Sequence, residues 1–144
     1  MRVLVQRSLE SNVKINNKIN GQIDKGLVLL VGFTEGDNID KIKYLVNKII
    51  NLRVFDDDNG VMNKSILEVG GSILSISQFT LYADTSKGNR PSYIKALKGE
   101  ESTKLYDIFN EELKKYVNVE TGVFGEDMLV SIKNDGPCTI LLER

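Results

Sequence analysis

The sequence predicts a single α+β domain over residues 1–144, in which curved antiparallel and mixed β-sheets form a barrel-like core with two main helices packed outside. Three observations lead to this prediction. Many short runs of alternating or apolar residues are separated by turn signals, as is typical of β-strands. Only two stretches place apolar residues at helical spacing. No repeat, low-complexity segment or linker divides the 144 residues, which are enough for one core.

The first third of the chain predicts four strands, with turns at Asn16-Asn17, Asn20-Gly21 and Lys25-Gly26. The fourth run is nearly all apolar, so we expect it to be buried on both faces of a sheet. The predicted strands span residues 3–7, 12–15, 18–23 and 27–33.

Two amphipathic helices are predicted. The first follows Asp37, a plausible cap, and the second begins near Ser92 or after Gly99. The apolar stripe of the first comprises Ile39, Ile42, Leu45, Val46, Ile49 and Ile50. That of the second comprises Leu105, Ile108, Phe109, Leu113 and Tyr116.

The other strands are short. Residues 53–56 and 65–68 are predicted to flank a hairpin turn at Asn59-Gly60. This turn resembles a calcium loop, but Phe55 and Ile66 occupy the positions of its first and last acidic ligands, so we predict no metal there. Further strands are predicted at 72–79, 118–120, 128–133 and 139–142.

The composition excludes several functional classes. With no histidine, the chain cannot carry Ser-His-Asp or Cys-His catalysis, and it lacks the commonest metal ligand. Its single cysteine, Cys138, excludes an intramolecular disulfide and suits a reducing cytoplasm. No apolar stretch is long enough to span a membrane, and the N-terminus does not resemble a signal peptide. The net charge of −1 means that nucleic-acid binding would require a local basic patch.

A candidate pocket lies where the strand over residues 72–79 changes from aliphatic to polar. Gln78 and Thr80 would share one face there, and the amides of Phe79 and Thr80 would become free donors for an oxyanion if strand pairing stopped. A strand that simply emerges into solvent explains the same pattern. Ser77 or Thr80 could act as a nucleophile, but no residue spacing identifies a base for either hydroxyl.

Two further segments allow two interpretations each. Lys87, Arg90, Lys95 and Lys98 form a stretch without acidic residues that could meet phosphates or could be an ordinary solvated face. The segment 134–139, with sequence NDGPCT, interrupts a strand pattern at Gly136-Pro137. Because proline cannot donate to a sheet, this segment is either a tight turn or a rigid backbone corner that contacts a ligand.

The segments SQFTLYAD (77–84), KGNRPS (87–92) and NDGPCT (134–139) together resemble the D-aminoacyl-tRNA deacylase family, first named for D-tyrosyl-tRNA. The resemblance covers essentially the whole chain. It implies a homodimeric, cytoplasmic enzyme without a cofactor. This enzyme would cleave the ester between a D-amino acid and tRNA, clear glycine as well, and bind neither DNA nor a membrane.

The resemblance also assigns roles to residues. Phe79 and Thr80 would be catalytic through their amides, with the tRNA 2′-hydroxyl helping to activate water. A cis Gly136-Pro137 bond would enter the partner subunit's pocket and exclude L-amino acids. Arg7 would steady this corner across or beside the interface. Substrate contacts are expected from Ser77, Gln78, Gly136, Pro137, Arg7 and Asn134, and tRNA phosphate contacts from Lys87, Arg90 and Lys95.

Three differences from the family pattern are apparent. Ser86 and Asn89 stand where basic residues are frequent, which would weaken tRNA binding or shift it to Lys95 and Lys98. Cys138 replaces the more usual valine and is expected to pack as a small hydrophobe. Two rival hypotheses are an RNA-binding module without catalysis, based on the basic stretch, and a small-molecule esterase that uses Thr80 as its nucleophile.

Overall fold

The structure is a computed structural model that describes residues 1–144. The fold has ten β-strands, three α-helices and one short 3-10 helix. The strands are β1 (Arg2–Ser8), β2 (Ser11–Ile15), β3 (Lys18–Ile23), β4 (Gly26–Gly32), β5 (Phe55–Asp56), β6 (Met62–Lys64), β7 (Ser72–Ser77), β8 (Val119–Thr121), β9 (Leu129–Ser131) and β10 (Asn134–Glu143). The helices are α1 (Ile39–Ile50), α2 (Ile66–Val69), α3 (Gly99–Lys114) and the 3-10 helix Phe79–Tyr82.

The main sheet is open and mixed, with strand order β10-β1-β4-β7-β8. β1 is antiparallel to both β10 and β4, whereas β4, β7 and β8 run parallel. A second sheet has the order β3-β2-β9, and β5 and β6 form a hairpin. The predicted α+β class with two main helices is confirmed, but the sheets do not close into a barrel because β10 and β8 remain separate edges.

The main sheet is covered differently on its two faces. Helices α1 and α3 cover one face, where Leu27, Leu29 and Val31 of β4 join a core of 20 buried residues. On the other face, the second sheet covers β4 and β7 through a smaller cluster that includes Val28 and Leu74. β4 is therefore buried on both faces, as predicted, because sequential residues of a strand point to opposite sides.

Part of the second face has no cover. We call this surface the open face; it lies where β1 and β10 extend beyond the second sheet. Arg2, Leu4 and Gln6 of β1 are only half-buried, and Leu141 of β10 is 49% exposed. The paired residues on this face are Arg2–Glu143, Leu4–Leu141 and Gln6–Thr139.

Two local predictions are wrong: the residue that caps α1, and the strand predicted over residues 65–68. Asn38, not Asp37, caps α1: its side-chain oxygen accepts from the amides of Asp40 and Lys41 at 3.1 Å. The buried Asp37 carboxylate instead accepts from the Met1 amino group at 2.7 Å and the Thr34 amide at 2.8 Å.

The segment 65–68 forms the start of helix α2 instead of a strand. Ser65 and Glu68 make a capping box, in which each side chain accepts from the other residue's amide. Gly70 ends the helix with a φ of 63°. The preceding turn at Asn59-Gly60 is as predicted, and the Asp57 carboxylate accepts from the amides of Asn59 and Val61.

Candidate active site

The main-chain amides of Phe79 and Thr80 are free where β7 ends. β7 stops at Ser77, two residues earlier than predicted, and the Gln78 amide makes the last hydrogen bond of the ladder with β4 by donating to the Val31 oxygen at 2.7 Å. The chain then turns into the 3-10 helix. Because the first amides of a helix lack intrahelical acceptors, and no turn or loop bond uses these two, both donors are available.

The side chains around these amides provide no base. The Thr80 hydroxyl accepts a hydrogen bond from the Gln78 side-chain amide, and an amide cannot take a proton at neutral pH. Ser77 is half-buried and makes no side-chain hydrogen bond. The Phe79 ring is 51% exposed and meets Tyr93 edge-on, with ring centres 5.1 Å apart. The site therefore presents main-chain donors beside an aromatic pair in which Phe79 is exposed and Tyr93 is half-buried.

Within β10, the segment 135–138 interrupts the pairing with β1 and forms a backbone corner. Gln6 pairs with Thr139 and Ser8 pairs with Asn134, so residues 135–138 stand opposite the single residue Arg7. Gly136 and Pro137 are exposed, and the peptide bond between them is cis. Gly136 has a φ of +122°, a conformation that other residues adopt rarely. Hereafter, "the corner" means residues 135–138.

Arg7 and Asn134 hold the corner from beneath. The Arg7 guanidinium is almost buried, and it donates to the main-chain oxygens of Val54 at 2.7 Å and Asp135 at 3.2 Å. It also pairs with the carboxylates of Asp56 and Asp135, each at 3.2 Å. The Asn134 side-chain nitrogen donates to the oxygens of Arg7 at 2.9 Å and Cys138 at 3.0 Å. Both amide hydrogens of Asn134 are therefore used within the chain.

The corner and the Phe79–Thr80 amides lie at opposite ends of the main sheet. Ser8 pairs with Gly26, and Gly26 with Ser72, so the corner adjoins the beginning of β7. The free amides follow the end of β7, which corresponds to the Arg2 end of β1. Six residue steps of a strand separate these ends by about 20 Å. One chain thus does not bring the predicted site residues together.

The predicted basic stretch forms an exposed loop with a fixed base. Main-chain bonds join Asp84 and Ser92 in both directions, at 2.8 and 2.9 Å. Lys87 and Arg90 are exposed within this loop and make no ion pair, whereas Lys95 pairs with Asp84 at 3.2 Å. Hydrogen bonds from Ser86 and the nearby Lys95 ammonium lower the pKa of Asp84 to about 2, so this carboxylate is charged at neutral pH.

Sequence reasoning missed Arg2 and Tyr82. The Arg2 guanidinium donates to the Leu81 oxygen at 2.8 Å, lies 4.7 Å from the centre of the Tyr82 ring and pairs with Glu143. It therefore fixes the 3-10 helix to β1 and β10. Burial, with a further contribution from the Asp37 charge, raises the pKa of Tyr82 to about 12. The alternation of Arg2, Leu4 and Gln6 along β1 was the sequence signal that could have placed Arg2 on a partly exposed face of the sheet.

No group of three or more cysteine, aspartate or glutamate side chains is arranged to hold a metal ion. None of the helices combines the length and apolar character needed to cross a membrane.

Nearly the whole chain matches one known protein family. Residues 4–143 match the family described as D-Tyr-tRNA(Tyr) deacylase. The chain belongs to this family. The curated D-aminoacyl-tRNA deacylase of Clostridium novyi (strain NT) is 54% identical over 144 residues, covering 99% of this chain and 97% of the relative. That of Clostridium botulinum (strain 657 / Type Ba4) is 55% identical over the same lengths.

Solved structures share the deacylase-family fold. A structure described as the c-Myc DNA Unwinding Element Binding Protein superposes with a TM-score of 0.95 at 36% identity, covering 100% of this chain and 99% of that one. A probable eukaryotic D-amino acid tRNA deacylase superposes with a TM-score of 0.83 at 17% identity, covering 98% and 97%. The second match bears on the fold alone.

Proposed function

We propose that the protein hydrolyses the ester bond of D-aminoacyl-tRNA in the cytoplasm, releasing the free D-amino acid and tRNA. Its family membership supports a hydrolase that acts on charged tRNA, and both curated relatives carry the name of this activity. The structural observation that carries the proposal is the pair of free amides at Phe79 and Thr80, because ester hydrolysis develops negative charge on a carbonyl oxygen.

The mechanism that we propose uses the substrate itself as the proton relay. Water attacks the carbonyl carbon, and the resulting oxyanion accepts hydrogen bonds from the Phe79 and Thr80 amides. The water proton passes to the tRNA 2′-hydroxyl, which transfers a proton to the 3′-oxygen as the carbon–oxygen bond breaks. The absence of a base next to Thr80 supports this route over attack by the Thr80 hydroxyl.

Selection of the D-enantiomer is assigned to the corner of a second copy of the chain. The exposed main-chain atoms of Gly136 and Pro137 offer a rigid surface without a long side chain. A ligand side chain that points toward this surface is rejected sterically, and one that points away is accepted. Because glycine has no side chain to reject, misattached glycine is also a substrate.

A homodimer is supported by the open face and by the separation of the two site elements. A two-fold axis across the strands reverses the direction of the partner's sheet. The corner of one chain then meets the sheet end that carries the Phe79–Thr80 amides of the other. Leu4 and Leu141 supply apolar surface on this face for such a contact.

Contacts with the tRNA body are assigned to the basic loop. Lys87 and Arg90 are exposed and unpaired, so each can replace a counterion at a phosphate. Lys95 is the weaker contributor because Asp84 already neutralises it. Ser77 and Gln78 line the end of β7 beside the terminal adenosine.

Matched D- and L-tyrosyl-tRNA test the proposed function. The purified protein is expected to release D-tyrosine and to leave L-tyrosyl-tRNA intact over the same period. Release of both enantiomers at equal rates, or of neither, would contradict the proposal. Tight RNA binding without release would favour the RNA-binding module instead.

A further inference from the structure

A broad cleft of about 1230 Å³ adjoins the candidate active site, and we call it the side cleft. Its walls come from residues 34–35, 82–86 and 94–98, with Arg2 and Glu101 at its ends. Tyr82 and Ala83 lie in its wall directly after the Phe79–Thr80 amides, so it is a continuation of that site. It exceeds the roughly 300–1,000 Å³ of ordinary small-ligand pockets, which suits a chain-like ligand.

The walls of the side cleft carry three kinds of exposed side chain: apolar, acidic and basic. Ile94 is 87% exposed, which is unusual for a large apolar side chain. Glu35 and Glu101 are exposed carboxylates without an ion pair, and Lys98 is a cation without one. Asp84 also lines the cleft, but Ser86 and Lys95 already occupy both of its oxygens.

We propose that the side cleft holds the unpaired cytidines that precede the terminal adenosine of the tRNA. This inference rests on the proposed function, since the terminal adenosine must lie at the Phe79–Thr80 amides. A cytosine base has a flat face that can lie on Ile94, and its N4 amino group donates to a carboxylate such as Glu101 or Glu35. Lys98 meets the connecting phosphate.

The carboxylates select this occupant over other ligands. A phosphate alone is disfavoured because Glu35 and Glu101 would repel it. Uracil presents an oxygen in place of the N4 amino group, and this oxygen would face a carboxylate without a hydrogen. The cleft therefore distinguishes cytidine from uridine, although both bases can stack on Ile94.

The test compares two substrates with four variants. D-tyrosyl-tRNA carries the cytidines, whereas a D-tyrosyl ester of adenosine lacks them. Ile94→Ala and Glu101→Gln alter the cleft. Ile19→Ala, at a residue 55% exposed on β3, and Glu100→Gln, beside Glu101 but outside the cleft, are the matched controls.

Both cleft variants are expected to raise KM for D-tyrosyl-tRNA roughly tenfold with kcat retained, because a base contact of this kind contributes about one power of ten. Hydrolysis of the adenosine ester should be unchanged, as should every rate of the control variants. Replacing the two cytidines by uridine, one at a time, should raise KM for the wild type, and at the position that Glu101 contacts it should raise KM no further for Glu101→Gln.

Two results would overturn the assignment of the side cleft and leave the proposed function standing. In one, the cleft variants hydrolyse D-tyrosyl-tRNA as the wild type does. In the other, they lose activity on both substrates equally, which would indicate general damage. If the wild type hydrolyses neither D-tyrosyl substrate, the proposed function fails, and the assignment of the side cleft fails with it.

Discussion

In the mechanism that we propose, Thr80 has a reactive side chain but acts through its main chain. Its hydroxyl accepts from Gln78 and has no base within hydrogen-bonding distance, while its amide is unpaired. An oxyanion held by preorganised amides needs no protein proton acceptor. The chemistry thus fits a chain without histidine.

The first prediction concerns the Thr80 hydroxyl. Thr80→Val keeps the side-chain shape and the amide, so kcat for D-tyrosyl-tRNA should stay within about fivefold, far from the ~10³-fold or larger loss expected for a missing nucleophile. Single-turnover hydrolysis measures the effect. A 2′-deoxy terminal adenosine should abolish turnover by the wild type. Trapping of an acyl-enzyme that disappears in Thr80→Val would instead establish the esterase alternative.

A second prediction concerns Gly136. A Cβ there would lie 2.9 Å from the Cys138 amide nitrogen and 3.1 Å from the Arg7 guanidinium, at a φ of +122°. Gly136→Ala should therefore shift the corner and lower kcat/KM for D-tyrosyl-tRNA by about 100-fold. The free energy of unfolding should fall by only about 1–2 kcal/mol, because the corner lies outside the sheet pairing. A large loss of thermal stability with unchanged activity would contradict this assignment.

At the scale of elements, the corner is a four-residue excursion held by the side chains of Asn134 and Arg7. Asn134 joins the oxygens of Arg7 and Cys138, which lie on either side of the corner's base. Arg7 adds bonds to Asp135 and Val54 from below. The corner is therefore held rigid by the sheet to which it belongs, as a steric filter requires.

A third prediction follows from this clamp. Asn134→Asp keeps the size of the side chain but replaces its donor nitrogen with an acceptor, so both bonds to main-chain oxygens are lost. The corner should loosen, and the ratio of D- to L-tyrosyl-tRNA hydrolysis should fall at least tenfold. Thr139→Val, which removes a 3.4 Å contact to the Asn134 side-chain oxygen and a 3.2 Å hydrogen bond from Gln6 but leaves both clamping bonds, is the control and should keep the ratio. An unchanged ratio in Asn134→Asp would show that the clamp has no part in selection.

The elements that the sequence predicted well are those with local periodicity. The stripe from Ile42 to Ile50 in α1 and the apolar run of β4 are fixed by neighbouring residues. The segment 65–68 was missed because the Ser65–Glu68 capping box outweighs its strand-like composition. The open sheet was missed because the pairing of β10 with β1 joins residues that are 126 to 141 positions apart, from Ser8–Asn134 to Arg2–Glu143.

The candidate site was only partly predictable for the same reason. The free amides follow from the end of a strand, which the alternation at Ser77 and Gln78 indicated within two residues. The internal use of Asn134 and the pairing of Lys95 with Asp84 depend on contacts that no spacing reveals. The 20 Å separation, estimated from strand geometry, appears only once strand order is known.

At the scale of the whole molecule, the two site elements belong to opposite ends of one sheet. The open face adjoins both ends and leaves Leu4 and Leu141 partly exposed. In the homodimer that we propose, a second copy related by a two-fold axis covers this face and completes two sites at once. The central claim is that each site is composed of amides from one chain and a corner from the other.

Subunit complementation tests this claim most directly. Gly136→Val disables the corner, and Phe79→Pro removes one of the two amide donors, so each variant alone should be inactive on D-tyrosyl-tRNA. After unfolding and refolding together in equal amounts, half of the dimers are mixed and one of their two sites is intact, which predicts about a quarter of wild-type activity. Recovery near that level, absent when the variants are refolded separately, is the expected result. No recovery in mixed dimers that have been isolated and shown to contain both chains would contradict the account.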